Sequence, residues 1–437
     1  MITLLVACAF APIALEPAAS LFDWPAWRGP SRNGAAVNAD PPTTWSESEG
    51  VAWKAPLPGH GKSTPIVYGE RIFVLAAVAT DKADEKLLEK RSPFPRQMTA
   101  APDYMVAFLA LAFDRRTGRP LWETTVTERL PVGGVHGTNG YASFSPVTDG
   151  KTLYVSFGSY GVYALDAASG TVRWSYELGP QHMRRGWGEA GSPALADDTL
   201  IVVADQEDDS RIHALDKRTG EVRWVKARDE PSTWTTPLVV NTSEHLQVVV
   251  NGTNAVRSYD VRNGDILWHC AGQTLNAIPS PVSDGERLVC TSGYQGQACL
   301  ALDLAGRGDL ERQEGGIAWR HDQGTPYVPS PLLADGRLYM LSGNSGLMSC
   351  LDVATGAVLV DRQRLPLGNV YASPIAAGGR IYVVDREGTT VVLQHDDDAL
   401  RVLATNVIED PIDATPAAVG ATLYLRSDAY LYAIGKP

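Results

Sequence analysis

The chain has 437 residues, of which 44% are hydrophobic and 20% charged, and its formal net charge is −12. This acidic balance argues against nucleic acid as a partner, because phosphate backbones are bound by basic surfaces. Glycine (41) and proline (29) are plentiful, which suits many short strands joined by turns and falls short of a disordered composition. No stretch is long and apolar enough for a membrane-spanning helix.

Residues 1–20 predict a secretory signal peptide, because a short apolar run is followed by the small residues Ala18, Ala19 and Ser20. The run lacks the usual preceding Lys or Arg. Residues 5–8 also fit a lipobox that would place lipid on Cys8, but too few residues precede it, so either the match is accidental or the true start lies upstream. We expect an exported, periplasmic protein, membrane-associated if Cys8 is lipidated, with an extended segment over residues 21–50.

A repeat begins with a Ser/Thr-Pro step, an apolar pair, a Gly or Asp turn and an alternating strand. Its prolines are Pro65, Pro146, Pro193, Pro237, Pro281, Pro331, Pro374 and Pro416. The last six of the seven gaps span 42 to 50 residues, which matches four-stranded propeller blades. The first gap spans 81, because a charged, Pro-containing insertion occupies residues 80–105. We predict that this insertion is an exposed loop of the first blade.

A second motif, Asp-x-x-x-Gly-x-x-x-Trp, follows the third strand of several repeats. It ends at Trp122, Trp174, Trp224 and Trp268, each eight residues after its aspartate. The spacing predicts a strand end, a tight turn in which Gly adopts positive φ, and a new strand that buries the tryptophan. Later copies weaken: Trp319 follows Asp303 across an insertion, and Val360 stands at the tryptophan position after Asp352.

The two ends of the repeat region complete each other. The last repeat stops after three strands, and residues 51–54 form a Trp53-containing strand with no blade before it. Pairing the two would close the ring and leave no incomplete blade. The sequence therefore predicts an all-β, eight-bladed β-propeller of four-stranded antiparallel blades over residues 51–437, closed by strand 51–54.

The segment LDKRTGEVRW at 215–224 resembles the docking motif of PQQ-type propellers, which include the quinoprotein alcohol dehydrogenases and the assembly lipoprotein BamB. The opening residues 24–30 and the segments 141–146 and 324–331 resemble a planctomycete-type group of PQQ-binding-like β-propeller repeat proteins. The resemblance covers residues 51–435. It implies that the tryptophans pack between adjacent blades, a structural role assigned here to Trp53, Trp122, Trp174, Trp224, Trp268 and Trp319.

Two functions follow from this resemblance. One is a non-catalytic, monomeric scaffold for protein partners in the cell envelope, as in BamB, with no cofactor and no catalytic residue. The alternative is a quinoprotein oxidoreductase for alcohols or sugars that binds PQQ and calcium in the central channel. The sequence has no adjacent cysteine pair and no recognisable calcium-ligand motif, so we favour the scaffold and expect no metal.

Cys290 and Cys299 flank a predicted hairpin around Tyr294. They could form a disulfide across two strands in an oxidising compartment. The other reading is two buried free thiols. The sequence leaves both readings open.

Propellers usually bind ligands at a channel mouth, through residues just before the innermost strands. Residues at such positions here combine aromatic rings, arginines and carboxylates, the mixture expected of a binding site. They are His136, Asn139, Tyr141, Arg184, Arg185, Trp187, Glu189, Trp234, Tyr327, Tyr371 and Asp413. We expect about half of them to line the channel and the others to cap strands or to satisfy buried backbone groups.

Overall fold

The computed structural model describes residues 23–91 and 94–436, so the predicted signal peptide and Cys8 lie outside the described residues. Within the described ranges, eight antiparallel sheets follow one another around a channel, which confirms the predicted eight-bladed all-β propeller. The helical elements of these described residues are one short α-helix, Glu85–Lys90, and the 3₁₀ turns Gly158–Tyr160 and Arg184–Gly186.

The blades are numbered along the chain, and their strands are given from the channel outward. Blade 1 comprises Ile66–Tyr68, Arg71–Ala79, Val106–Asp114 and Pro120–Arg129; blade 2 comprises Val147–Thr148, Thr152–Ser156, Val162–Asp166 and Val172–Tyr176. Blade 3 comprises Ala194–Ala196, Thr199–Ala204, Arg211–Asp216 and Val222–Ala227; blade 4 comprises Leu238–Asn241, Leu246–Val250, Val256–Asp260 and Ile266–Cys270. Blade 5 comprises Val282–Ser283, Arg287–Ser292, Ala298–Asp303 and Ile317–Arg320; blade 6 comprises Leu332–Ala334, Arg337–Leu341, Leu347–Asp352 and Val358–Arg364. Blade 7 comprises Ile375–Ala377, Arg380–Val384, Thr389–Asp396 and Ala399–Val407; blade 8 comprises Ala417–Val419, Thr422–Arg426, Tyr430–Gly435 and Val51–Pro56.

Blade 8 is assembled from both ends of the repeat region. Its outer strand Val51–Pro56 pairs antiparallel with Tyr430–Gly435, two residues longer than the predicted 51–54. The ring is thereby closed as the sequence predicted.

Two blades carry a fifth strand that the repeat pattern did not predict. Ala35–Ala36 pairs parallel with the inner strand of blade 7, and Gly308–Asp309 pairs parallel with the outer strand of blade 4. The first attaches the segment before the propeller to its core. The second covers an edge that would otherwise be open to solvent.

The hydrophobic core consists of clusters in which the side chains of neighbouring blades pack face to face. This packing decides the cysteine question, because Cys290 pairs with Leu300 and Cys299 with Thr291. The two thiols therefore point to opposite faces of blade 5, one toward blade 4 and the other toward blade 6. The disulfide reading is wrong, and both cysteines are buried free thiols.

The motif tryptophans fasten each outer strand to the next blade. The indole Nε1–H donates to the carbonyl that follows the next blade's turn aspartate: Trp53 to Arg115 (3.1 Å), Trp122 to Ala167 (3.3 Å), Trp174 to Lys217 (3.1 Å), Trp224 to Val261 (2.8 Å) and Trp319 to Val353 (2.9 Å). The ring packs against the turn glycine, where a side chain would collide with it. The Asp-x-x-x-Gly turn is thus the socket for the preceding blade's tryptophan.

Trp268 is held differently, because Arg307 stands where the next turn would carry its glycine. Its Nε1 donates to Oε1 of Gln247 (3.1 Å), and Nε2 of Gln247 donates to the Leu304 carbonyl (3.0 Å). Gln247 therefore bridges the tryptophan to blade 5.

A Gly220→Ala substitution tests the socket. Gly220 has a φ of +76°, and an added Cβ would lie 2.7 Å from the Trp174 ring. Gly336 has a similar φ of +70° with nothing within 4 Å, so Gly336→Ala is the matched control for backbone strain alone. We expect Gly336→Ala to cost about 1 kcal/mol and Gly220→Ala about 1–3 kcal/mol more in denaturant unfolding. Equal losses of unfolding free energy in the two variants would contradict the role of Gly220 as the packing site of the Trp174 ring.

The insertion at residues 80–105 does not project freely into solvent. Phe94 stacks on His182 with ring centroids 4.7 Å apart, and the Met98 amide donates to the Arg185 carbonyl (2.8 Å). Its short helix has no buried residue, as the predicted exposed loop requires. The rest of the insertion, through Phe94 and Met98, packs against the loop at 180–189.

Candidate functional site

A cavity of about 430 Å³ occupies one end of the channel. Its lining includes seven of the eight hydroxyl-bearing residues of the Ser/Thr-Pro steps, all but Ser280. Their backbone amides and hydroxyl oxygens form seven hydrogen bonds of 2.8–3.0 Å from blade to blade: Thr64 to Ser145, Ser145 to Ser192, Ser192 to Thr236, Thr236 to Ser280, Ser280 to Ser330, Ser330 to Ser373 and Ser373 to Thr415. We call these eight residues the hydroxyl ring.

The next layer of the wall comes from the residue two positions before each hydroxyl. These are Lys62, Ser143, Ala190, Trp234, Ile278, Val328, Tyr371 and Asp413, and all eight line the cavity. Lys62 and the hydroxyl ring were missed by the sequence analysis. The fixed offset from each Ser/Thr-Pro step is the signal that could have found them.

One side of the mouth is aromatic. Trp187 lies 6.2 Å from Trp234 and 6.3 Å from Tyr294, and Tyr294 stacks on Tyr327 at 5.0 Å between ring centroids. Trp234 donates its Nε1–H to the Gly188 carbonyl (2.8 Å) and its amide N–H to the Ala277 carbonyl (2.9 Å). The rings are therefore fixed by one another and by the backbone.

The opposite side is polar. Asp413 is almost fully buried and accepts from Nζ of Lys62 (2.9 Å) and Nε of Arg386 (2.6 Å). Lys62 also pairs with Asp428, and the Arg386 guanidinium lies 4.6 Å above the Tyr371 ring. The hydrogen bond that Arg386 donates to the Asp413 carboxylate raises the pKa of Arg386. Two cations and two carboxylates thus neutralise one another on this wall.

The floor is supplied by the segment before the propeller. Trp27 lines the cavity, and beneath it the buried Arg28 donates to the carbonyls of Pro331 and Pro374. Asn33 exchanges hydrogen bonds with Ser283 of blade 5. The predicted extended segment is therefore a plug that contacts the inner strands of several blades.

The loop that carries Trp234 rests on a buried ion pair. Asp205 accepts from Nε (2.6 Å) and Nη2 (3.1 Å) of Arg228 and from Oγ1 of Thr233 (2.6 Å), while Arg228 also donates to the Tyr259 hydroxyl (2.6 Å). From its composition, the acidic run at 205–209 predicts a solvated hairpin tip. That is wrong for Asp205, whose side chain is completely buried.

Seven of the eleven predicted binding residues line the cavity: His136, Asn139, Trp187, Trp234, Tyr327, Tyr371 and Asp413. Tyr141 and Glu189 line a separate, water-sized cavity beside it. Arg185 is exposed on the rim, 5.7 Å over the Trp187 ring, and the Arg184 amide bonds to Ser232 (2.9 Å).

Glu189 makes a pH-dependent contribution to stability. Its carboxylate accepts from the amide (2.7 Å) and hydroxyl (2.6 Å) of Ser159, yet burial raises its pKa from 4.5 to about 7. The folded protein binds this proton more tightly than the unfolded chain, so stability falls as pH rises from about 4.5 to 7 and then levels. We expect Glu189→Gln to remove about 3 kcal/mol of this pH dependence, measured by denaturant unfolding.

The control for this measurement is Glu177→Gln, which alters an exposed ion pair with Arg129. Its pH profile should follow that of the unmodified protein. A Glu189→Gln profile that keeps the full slope would contradict the assignment.

The donor set at the cavity does not fit calcium. Ca²⁺ requires six to eight oxygen ligands with several carboxylates, whereas the lining carboxylate Asp413 is already bonded to Lys62 and Arg386. Across residues 23–91 and 94–436, no three His, Cys, Asp or Glu side chains converge as metal ligands.

The described ranges, 23–91 and 94–436, contain no helix with the length and hydropathy needed to span a membrane.

The fold and the channel cavity define an eight-bladed propeller of PQQ-type repeats. A family model described as outer membrane protein assembly factor BamB matches residues 109–312 and 308–426. The chain belongs to this family.

Individual relatives include the outer membrane protein assembly factor BamB of Burkholderia pseudomallei, 25% identical over 79% of this chain and 98% of that protein. A polyvinylalcohol dehydrogenase of Pseudomonas sp is also 25% identical, over 61% of this chain and 50% of that enzyme. Among solved structures, BamB from Moraxella catarrhalis (TM-score 0.53, 17% identity) covers 82% of this chain and 97% of its own. A europium-containing methanol dehydrogenase (TM-score 0.62, 12% identity) covers 96% and 92%. Both structures show a shared fold.

Proposed function

We propose that this protein is a non-catalytic scaffold of the cell envelope, which binds a protein partner at the cavity mouth as an exported monomer. The observation that carries the proposal is the rim, where the exposed Arg185 lies over Trp187 and a fixed aromatic wall continues to Tyr327. Tryptophan, tyrosine and arginine in such settings contribute most of the energy of protein interfaces. Membership of the BamB family supports the same function.

The alternative is a PQQ-dependent oxidoreductase, favoured by the position and size of the cavity and by the dehydrogenases among the relatives. The cavity offers flat rings on which a planar cofactor could stack. Its carboxylate is committed to two cations, and the donor set for calcium does not fit. The scaffold therefore accounts better for the residues at the mouth.

Site-specific photo-cross-linking in the producing host tests the scaffold. A benzophenone side chain replaces Arg185 at the rim in one variant, and in a matched control it replaces Ile266, which is exposed on the outer strand of blade 4. We expect one envelope protein to be captured from position 185 and not from 266, and Trp187→Ala to reduce its capture. Capture of the same proteins from both positions, or from 266 alone, would contradict the proposal.

A further inference from the structure

The cavity has three features that together restrict its ligand. It has one aromatic side and one polar side, and Trp27 closes its floor over the plug. A ligand must therefore enter from the mouth and stop at the floor. Its volume lies in the ordinary range of small-molecule sites.

The aromatic side consists of rings that are held in place: Tyr294 and Tyr327 stack on each other, and Trp187 meets Tyr294 edge to face. Trp187, Tyr294 and Tyr327 are half-buried, so each leaves part of its ring open, and their mutual contacts of 5.0–6.3 Å limit rotation. Such surfaces take a flat, weakly polar face, as the C–H face of a sugar ring provides.

The polar side favours an uncharged ligand. Lys62 and Arg386 are paired with Asp413 and Asp428, so an ionic ligand would have to compete with these existing ion pairs. Desolvating a charged ligand is expensive without a free counter-charge. A hydroxyl group can instead donate to Asp413 or accept from Lys62 without disturbing the balance of charge.

The hydroxyl ring adds donors near the floor. In the seven blade-to-blade bonds the Ser or Thr oxygen accepts an N–H, so the hydroxyl proton of that residue takes no part in the bond. Asn139 lines the same cavity and its amide donates to the Trp187 carbonyl (2.9 Å). Hydrogen-bond donors and acceptors thus lie on the polar side and near the floor of the cavity, and the aromatic rings lie on the other side.

From these observations we infer that the cavity binds a neutral saccharide, as a free oligosaccharide or as the terminal unit of a glycan chain. The C–H face of the sugar packs against the Trp187–Tyr294–Tyr327 wall, and its hydroxyls bond to the Lys62–Asp413 side. The saccharide shares the Trp187–Tyr327 wall with the protein partner proposed above, but its binding is measured on the protein alone and stands or falls without that partner.

Titration of the intact protein, followed by tryptophan fluorescence and calorimetry, tests the inference. The probes are neutral di- and trisaccharides of glucose, mannose, galactose and N-acetylglucosamine, with a uronate disaccharide, tetramethylammonium and a tryptophan-containing peptide as competing chemistries. We expect saturable binding of a neutral saccharide, weakened at least tenfold by Tyr327→Ala and by Asp413→Asn. Tyr327→Phe should lose less than Tyr327→Ala, because it keeps the ring.

Trp53→Phe is the control for folding and for affinity, since Trp53 lies in the outer strand of blade 8. Melting curves show whether each variant is folded. The inference is overturned if no neutral saccharide binds saturably. It is equally overturned if the uronate binds best, because its carboxylate would then be attracted by the buried Arg28 guanidinium. Tightest binding of tetramethylammonium or of the peptide would overturn it as well.

Discussion

Asp205→Ala should destabilise the protein by about 3–5 kcal/mol, because it leaves the Arg228 guanidinium buried without its counter-charge. Both side chains are completely buried, and Asp205 also holds the Thr233 hydroxyl. Thr233 precedes Trp234, so the variant should also shift tryptophan fluorescence at the cavity wall. Denaturant unfolding measures the loss.

The matched control is Asp209→Ala, which removes an exposed partner of Arg211 in the same loop. Its cost should stay below about 1 kcal/mol. Replacing both buried partners, as Asp205→Leu with Arg228→Met, should cost less than the sum of the two single changes. Additive losses, or a loss from Asp205→Ala as small as that of the control, would contradict the role of this pair.

The second large effect is expected from Trp268→Ala, which should cost about 3–5 kcal/mol. Trp268 is completely buried between blades 4 and 5 among Leu302, Leu304 and Leu310. The loss creates a cavity and leaves the Gln247 side chain without one of its partners. Thermal and denaturant unfolding both measure it.

Trp319→Ala is the comparison, because Trp319 also fastens an outer strand to the next blade, through a direct bond to the Val353 carbonyl, while partly exposed. It should cost clearly less than Trp268→Ala. A reversed order would show that burial between blades does not determine what each tryptophan contributes.

The architecture was predictable because its determinants are local and repeated. The Ser/Thr-Pro period gave the number of blades, and the unpaired strand at Trp53 gave the closure. The Asp-x-x-x-Gly-x-x-x-Trp spacing indicated a packing role, which the structure shows as one blade's tryptophan on the next blade's turn.

The sequence was undecided or wrong where contacts depend on three-dimensional register. A hairpin shows which strands pair but not which residues face each other, so the sequence left the Cys290–Cys299 disulfide open, and the structure puts the two cysteines on opposite faces. Asp205 was assigned to solvent because its partner, Arg228, lies beyond another strand pair. The contacts of the plug could not be predicted for the same reason, since Arg28 binds carbonyls more than 300 residues away in the sequence.

The candidate site was predictable in part. Residues before the inner strands were identified by position, and most of them line the cavity. Tyr141 and Glu189 fell outside because their loops turn toward the neighbouring water-sized cavity, and Tyr294 was overlooked because it lies in a hairpin turn.

Reconstitution with PQQ tests the central claim, that this propeller is a non-catalytic scaffold. The protein is incubated with PQQ and Ca²⁺, and dye reduction is followed with alcohols and sugars, together with the melting temperature and the quinone absorbance. The proposed function predicts no turnover above the level of PQQ alone. Substrate-dependent dye reduction that requires the folded protein and is lost in Asp413→Asn would contradict it.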